Sequence, residues 1–349
     1  MLSIISFLIV IAICVISHEG GHFWAARFRD VMVHEFSFGM GPSVWSRQKG
    51  ETLYSFRAFP IGGFVKLEGE DAAEEEGGLS EEGCDPSRSL ANKKPWERIL
   101  IIGAGAAVNI ALAWLLTAVY LSGYGVYNME EAKLGNIMEG TPAYSAGFQS
   151  GDVIKSIDGK ELKSWPDIRK NIQAEDKVGD RFEIIVERGG EEKRFSVDIP
   201  VSKEAGGRLL GVQPSHEKYP FFKALGAAFT YSWHMSVEIL RGLWMALTGQ
   251  IKADVTGPVG IATMAGDALK DGFWTFIAFL GVINLNLGLL NLLPFPALDG
   301  GRIIFILIEL VTRRKVPEKI ETMIHYAGFM ILLALILLVT GKDIYRLMR

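Results

Sequence analysis

The motif His18-Glu19-Gly20-Gly21-His22 stands inside an apolar run that begins at Leu2 and keeps a helix-compatible pattern to Phe28. A glutamate at bilayer depth costs about 2.5–3.5 kcal/mol on insertion scales, so it belongs there only if it faces a wet or polar interior. Leu2–Ile16 has the length of a signal-peptide core, yet no basic residue precedes it, and it reads as a retained span covering 1–28. Arg27 and Arg29 mark its cytoplasmic end by the positive-inside tendency. His22 precedes Arg27 by five residues, about 7.5 Å at helical rise, so the motif lies in the cytoplasmic part of the bilayer.

The rest of the chain reads as polytopic. Of 349 residues, 49% are hydrophobic and 22% charged, with a mean hydropathy of +0.23, too apolar for an ordinary soluble chain. A net charge of −4 gives no footprint for nucleic acid. A second span, 99–121, follows Lys93, Lys94 and Arg98 and returns the chain to the outside. The third, 273–302, is broken near its end by Pro294 and Pro296, and a short run, Ile303–Val311, precedes the basic Arg313, Arg314 and Lys315 inside. The fourth, 323–340, leads out again, although Lys342, Arg346 and Arg349 on the outer tail run against the positive-inside tendency. The stretch 220–250 is apolar but carries Lys223, His234, Glu238 and Arg241, and is expected to be an interfacial amphipathic helix or to pack on the bundle. A fifth span there would reverse the third and carry Asp299 away from the histidines.

Three polar pieces join these spans. Residues 31–67 show strand and hairpin signals punctuated by Gly and Pro, either a surface sheet or an edge for an extended peptide. Residues 68–95 begin with nine acidic and no basic residues from Glu68 to Asp85, an acidic cytoplasmic linker. Residues 131–201 read strand, short helix after Pro142, G-D-V-I strand, I-D-G turn, helix from Trp165 and late strands. That order resembles PDZ domains, chiefly through Gly147, Gly151-Asp152 and Asp158-Gly159, and parity places the piece outside the membrane. Cys14 in an apolar run and Cys84 in the linker are not expected to form a disulfide.

On a helix, His18 and His22 project about 40° apart and can share one metal ion, with Glu19 beside it as general base. Gly20 and Gly21 each cost about 1 kcal/mol of helix propensity, a cost that close approach of another backbone or of a substrate would offset. A third ligand must come from elsewhere, since Phe28 occupies the position of the metzincins' third His. Glu35 falls in a strand-like stretch, and His34, His216, His234 and His325 have no comparable motif around them. Asp299 is the best candidate, because Pro294 and Pro296 break the span before it and Gly300 and Gly301 allow close approach; its other reading is a helix-capping Asp.

H-E-G-G-H on the first span, F-P-I-G-G-F-V-K-L after it, a PDZ-like piece and N-L-L-P-F-P-A-L-D-G-G late in the chain resemble the bacterial site-2 proteases, the RseP-like intramembrane zinc metalloproteases. The resemblance implies a polytopic α-helical membrane protein of about four transmembrane helices, with a membrane-associated β-hairpin region and an inserted PDZ-like α/β domain. It implies Zn2+ held by His18, His22 and Asp299, Glu19 as base, and a substrate-binding role for Asn291 and for Gly62 and Gly63 of the hairpin. The family's G-P-x-x-N appears here as Gly105 to Asn109 with Ala106 in place of Pro, which leaves the role of Asn109 less secure. Only one PDZ-like piece is present where some relatives have two. The implied reaction is hydrolysis of peptide bonds within transmembrane segments of single-span proteins in the bacterial inner membrane. The substrates would be anti-sigma factors already trimmed outside by a site-1 protease, or remnant signal peptides, and lipid would surround the spans. A membrane-tethered PDZ receptor with a structural metal site is the alternative, and a metal transporter would need ionisable residues on more spans.

Overall fold

Helix α1 (Leu2–Phe28) runs without a break through both glycines of the motif. In the computed structural model, which describes residues 2–70, 85–173, 179–202, 207–251 and 256–347, Gly21 meets the backbone of a second helix: a Cβ there would lie 2.8 Å from the Cα of Gly105. Gly20 has open space beside it. Residues 71–84 of the acidic linker, Cys84 included, lie outside the described residues. Two compact units emerge, one of Met1–Tyr120 with Lys223–Arg349 and one of Leu121–Phe222.

After α1 come β1 (Val33–Lys49) and β2 (Thr52–Leu67), long strands that fold over each other. The segment Glu35–Phe38 registers with Leu53–Phe56 on one side and with Gly63–Lys66 on the other, while Trp45–Lys49 registers with Thr52–Phe56. The expected hairpin is therefore a sheet of four segments, with Gly63–Lys66 at one edge. Phe23 and Ala26 of α1, Val31, Val33, Val65 and Leu67 pack with Leu90 and Ile101 into a small core that anchors this sheet to the helices. Next is α2 (Pro95–Gly123), which extends beyond both limits of the expected second span.

The second unit begins with β3 (Val126–Tyr127) and β4 (Leu134–Ile137), then α3 (Pro142–Ala146), β5 (Val153–Ile157), β6 (Lys160–Glu161), α4 (Trp165–Ile172), β7 (Arg181–Arg188) and β8 (Glu191–Asp198). The order β6-β5-β7-β8 forms an antiparallel sheet. Gly147 closes α3 in the left-handed region at φ 85°, and Ser164 with Asp167 forms a capping box on α4. Apolar side chains from the sheet and both helices, among them Ile154, Ile168, Phe182 and Ile184, make one core. The unit is wider than 131–201. After β9 (Val201–Ser202) and β10 (Gly207–Arg208), β11 (Val212–Pro214) pairs with β4 and β12 (His216–Glu217) pairs with β3, satisfying backbone groups that the shorter segment would leave open.

Helix α5 (Phe221–Leu247) returns the chain to the first unit. It buries the small residues Ala224, Ala228 and Ser232, spaced one turn apart, and exposes Phe222, Phe229, Trp233 and Trp244. Trp114 of α2 donates to its Leu225 carbonyl at 2.8 Å. Then follow α6 (Pro258–Lys270), α7 (Phe273–Asn291), α8 (Asp299–Thr312) and α9 (Glu318–Leu347). The expected span 273–302 is thus two helices rather than one: Pro294 and Pro296 remove backbone donors and push their predecessors out of helical geometry, and α8 starts afresh at Asp299. Among the described residues, four helices are long and apolar enough to cross a membrane: Leu2–Phe28, Pro95–Gly123, Phe273–Asn291 and Lys319–Arg346.

Candidate metal centre

One turn of α1 separates His18 from His22, so the two rings meet edge to face with centroids 4.8 Å apart. Their Nε2 atoms are 3.3 Å apart, and Asp299 Oδ2 lies 3.4 Å from the first and 3.5 Å from the second. Donors bonded to a tetrahedral zinc at about 2.0–2.1 Å stand about 3.3–3.4 Å from each other. The triangle has those dimensions. The buried Asp299 Oδ2 has no hydrogen-bond partner, the state of a carboxylate oxygen suited to a cation. Two imidazoles and a carboxylate are a donor set for zinc. Among the described residues no other group of three His, Cys, Asp or Glu side chains converges in this way.

The surrounding shell orients these donors. His22 Nδ1 lies 3.0 Å from the Ile101 carbonyl; as the N–H donor there it leaves Nε2 with a lone pair facing Asp299. Gly105 of α2 makes room, since a Cβ on it would overlap Nε2 of His22 and stand 2.9 Å from Cε1 of His18. Asn291, the last residue of α7, brings its Nδ2 to 3.5 Å from His18 Nε2. Glu19 faces the sheet: a Cβ on Gly63 would lie 3.2 Å from Glu19 Cγ and 2.8 Å from Val15 Cγ1. Gly62 adopts φ +80°, the left-handed region, and turns towards Met40.

Three of the remaining sequence candidates have other partners. Glu35 bonds Ser55 and, at 2.7 Å, Arg57; His34 pairs with Glu68; His216 lies between the rings of Tyr124 and Tyr127. Asn109 is fully buried and accepts the Ser17 hydroxyl at 2.6 Å, rather than approaching the ligand triangle through a hydrogen bond. Sequence reading missed Asn284, also fully buried and 3.4 Å from Ser17 Oγ, although an amide inside an apolar helix was a visible signal. It also missed the space made by Gly105, which no local pattern announces.

The model of peptidase family M50 matches residues 6–335. A relative from Clostridium perfringens is 35% identical over 344 residues, covering 98% of each chain. The zinc metalloprotease RasP of Geobacillus kaustophilus is 30% identical over 420 residues, covering 99% of this chain and 98% of its own. The regulator of sigma-W protease RasP of Bacillus subtilis is 28% identical over 421 residues, with 99% of both chains covered. A solved PDZ domain from Listeria innocua is 24% identical over 26% of this chain and 99% of its own, with a TM-score of 0.22. A match spanning both ends of the chain, where the two histidines and Asp299 lie, means that the chain belongs to peptidase family M50, the site-2-type zinc metalloproteases of the membrane.

Proposed function

We propose that His18, His22 and Asp299 hold the zinc of this protease, that Glu19 is its general base, and that the substrate is an unwound transmembrane segment lying along the β2 edge. The mutual spacing of the three donor atoms, 3.3–3.5 Å, carries this reading. When bound, zinc supplies Lewis-acid activation of the attacking water and of the scissile carbonyl. Glu19 takes the proton of that water and delivers it to the leaving amide nitrogen. Backbone carbonyls within a helix are hydrogen-bonded and shielded, so the segment must open before attack. Gly63–Lys66 registers with Glu35–Phe38 on one side, and its other edge offers backbone groups to an extended peptide. Gly62 and Gly63 keep that edge clear, and Asn291 holds the substrate backbone near the donors. Asn109, tied to Ser17, supports α1 just before His18.

The protein is a multi-pass membrane enzyme acting on membrane-protein substrates. Parity and the basic residues after the first span favour a catalytic centre on the cytoplasmic side and the second unit outside, with lipid around the four apolar helices. The Bacillus subtilis relative is named for regulating sigma-W. That name favours, for this chain, a single-span anti-sigma factor already shortened outside by a site-1 protease; remnant signal peptides are the second substrate class. The relatives' protease names argue against an inactive PDZ receptor. The test is zinc content and cleavage of a single-span substrate by the purified chain and by His18→Ala, His22→Ala and Asp299→Ala. Each variant is expected to lose both. Undiminished zinc in Asp299→Ala would overturn the third-ligand assignment.

A further inference from the structure

Asp299 opens α8, and the seven residues Leu292–Leu298 join it to the end of α7. Ala297 takes φ +73°, a left-handed conformation that is strained for a non-glycine residue and persists only where its surroundings over-determine it. Two of those surroundings come from α9. The Ala297 N–H donates to Nδ1 of His325 at 2.9 Å. One turn along, Gly328 meets Pro296 so closely that a Cβ would stand 2.7 Å from the Pro296 carbonyl oxygen. The third surrounding is α8 itself, where Cβ atoms on Gly300 and Gly301 would overlap the carbonyls of Leu293 and Phe295.

His325 therefore does something that Gly328 and the α8 glycines do not. They allow approach; it accepts a backbone N–H of the left-handed turn, that of Ala297. Accepting at Nδ1 requires the neutral ring with its proton on Nε2. Its ring also packs against Phe305 of α8, with centroids 5.4 Å apart. One side chain thus touches the turn two residues before Asp299 and the helix that Asp299 begins.

We propose that His325 is a positioning residue for the Asp299 carboxylate, acting through the Ala297 N–H. Without the acceptor, that N–H loses its partner and the turn relaxes from its left-handed geometry. Asp299 Oδ2 then leaves the narrow range of position that metal ligation tolerates. The inference rests on Asp299 being a zinc ligand, and it is tested alongside that reading.

Two variants separate the acceptor from the ring. His325→Asn keeps an acceptor oxygen near the place of Nδ1 and loses the ring; His325→Phe keeps a ring against Phe305 and loses the acceptor. Zinc retention by the detergent-purified full chain is measured against increasing chelator, and kcat and KM are measured on a single-span substrate in excess zinc. His325→Phe is expected to weaken zinc binding about 10- to 100-fold, as loss of an outer-shell partner does, and to lower kcat with KM unchanged. His325→Asn is expected to hold zinc within about threefold of the unaltered chain, a margin under 1 kcal/mol. Any other order of the two variants overturns the proposal. If Asp299→Ala loses its zinc while His325→Phe keeps it, the positioning role alone fails. If Asp299→Ala also keeps its zinc, the ligand assignment fails with it.

Discussion

Gly105 on α2 faces the imidazole of His22 with no room for a side chain: a Cβ there would overlap Nε2 and lie 2.7 Å from Cε1. The ring cannot swing aside freely, because its Nδ1 is tied to the Ile101 carbonyl. Gly105→Ala is therefore expected to lower zinc affinity at least tenfold in a chelator titration, with helix content unchanged. Gly103→Ala is the control, since its Cβ would sit in ordinary contact, 3.6 Å from Ile303 Cδ1. Equal zinc retention in the two variants would remove Gly105 from the site.

A general base at Glu19 moves the proton without holding the metal, so Glu19→Gln should keep full zinc. Its amide is nearly isosteric and cannot accept the proton, and cleavage should fall by about 10²–10⁴-fold, the range of general base catalysis. The assay uses a single-span substrate with an already shortened outer part. Turnover near that of the unaltered chain would mean that another group is the base.

The β3–β12 pairing, Val126–Tyr127 with His216–Glu217, shows where the second unit can be removed. Joining Tyr127 to His216 through an Asn-Gly turn keeps this short ladder and deletes the rest of the second unit beyond it. If the unit screens substrates by the bulk of their outer part, the shortened protein should cleave substrates with intact outer domains and treat trimmed ones as before. Loss of cleavage of both, with zinc retained, would make the unit a required dock rather than a filter.

Within that unit Asp152 is buried against Arg188, which donates to it at 2.6 and 2.7 Å, and it also accepts the Gln149 N–H at 2.9 Å. Burial alone would raise its pKa, but the guanidinium and the N–H outweigh burial and hold the carboxyl below its ordinary value. A depressed folded-state pKa gives stability that is complete above the unfolded value of about 3.9 and fades as pH falls through the folded value. Arg188→Leu should cost the unit about 2–3 kcal/mol at pH 7 by leaving a buried charge without its partner, and distinctly less at pH 3. Hydrogen exchange of the β5 and β7 amides in the full chain, under increasing urea at each pH, measures both losses. An equal loss at the two pH values would show that the charge is not what matters.

Much of this protein is legible in the chain alone because its physics is local. Four apolar stretches of spanning length, histidines four residues apart on one helix face, and prolines that end a helix each depend on neighbours within a few positions. The turn glycines and alternating apolar residues of the second unit are of the same kind. Other features exist only after distant segments have packed. Asn291 meets His18 across 273 positions of sequence, and Asp299 Oδ2 reaches both histidines from a helix that restarts eight residues after α7 stops at Asn291. Gly105 looks like any small residue in an apolar helix until α1 sets two imidazoles against it, and His325 looks like a stray histidine until α9 brings it to the Ala297 N–H. The nearness of Gly63 to Glu19 likewise exists only once the β1–β2 sheet has packed on α1. Residue type and spacing set which groups a segment can present. Which of those groups stand within 3.5 Å of one another is decided by steric fit between segments that share no local pattern.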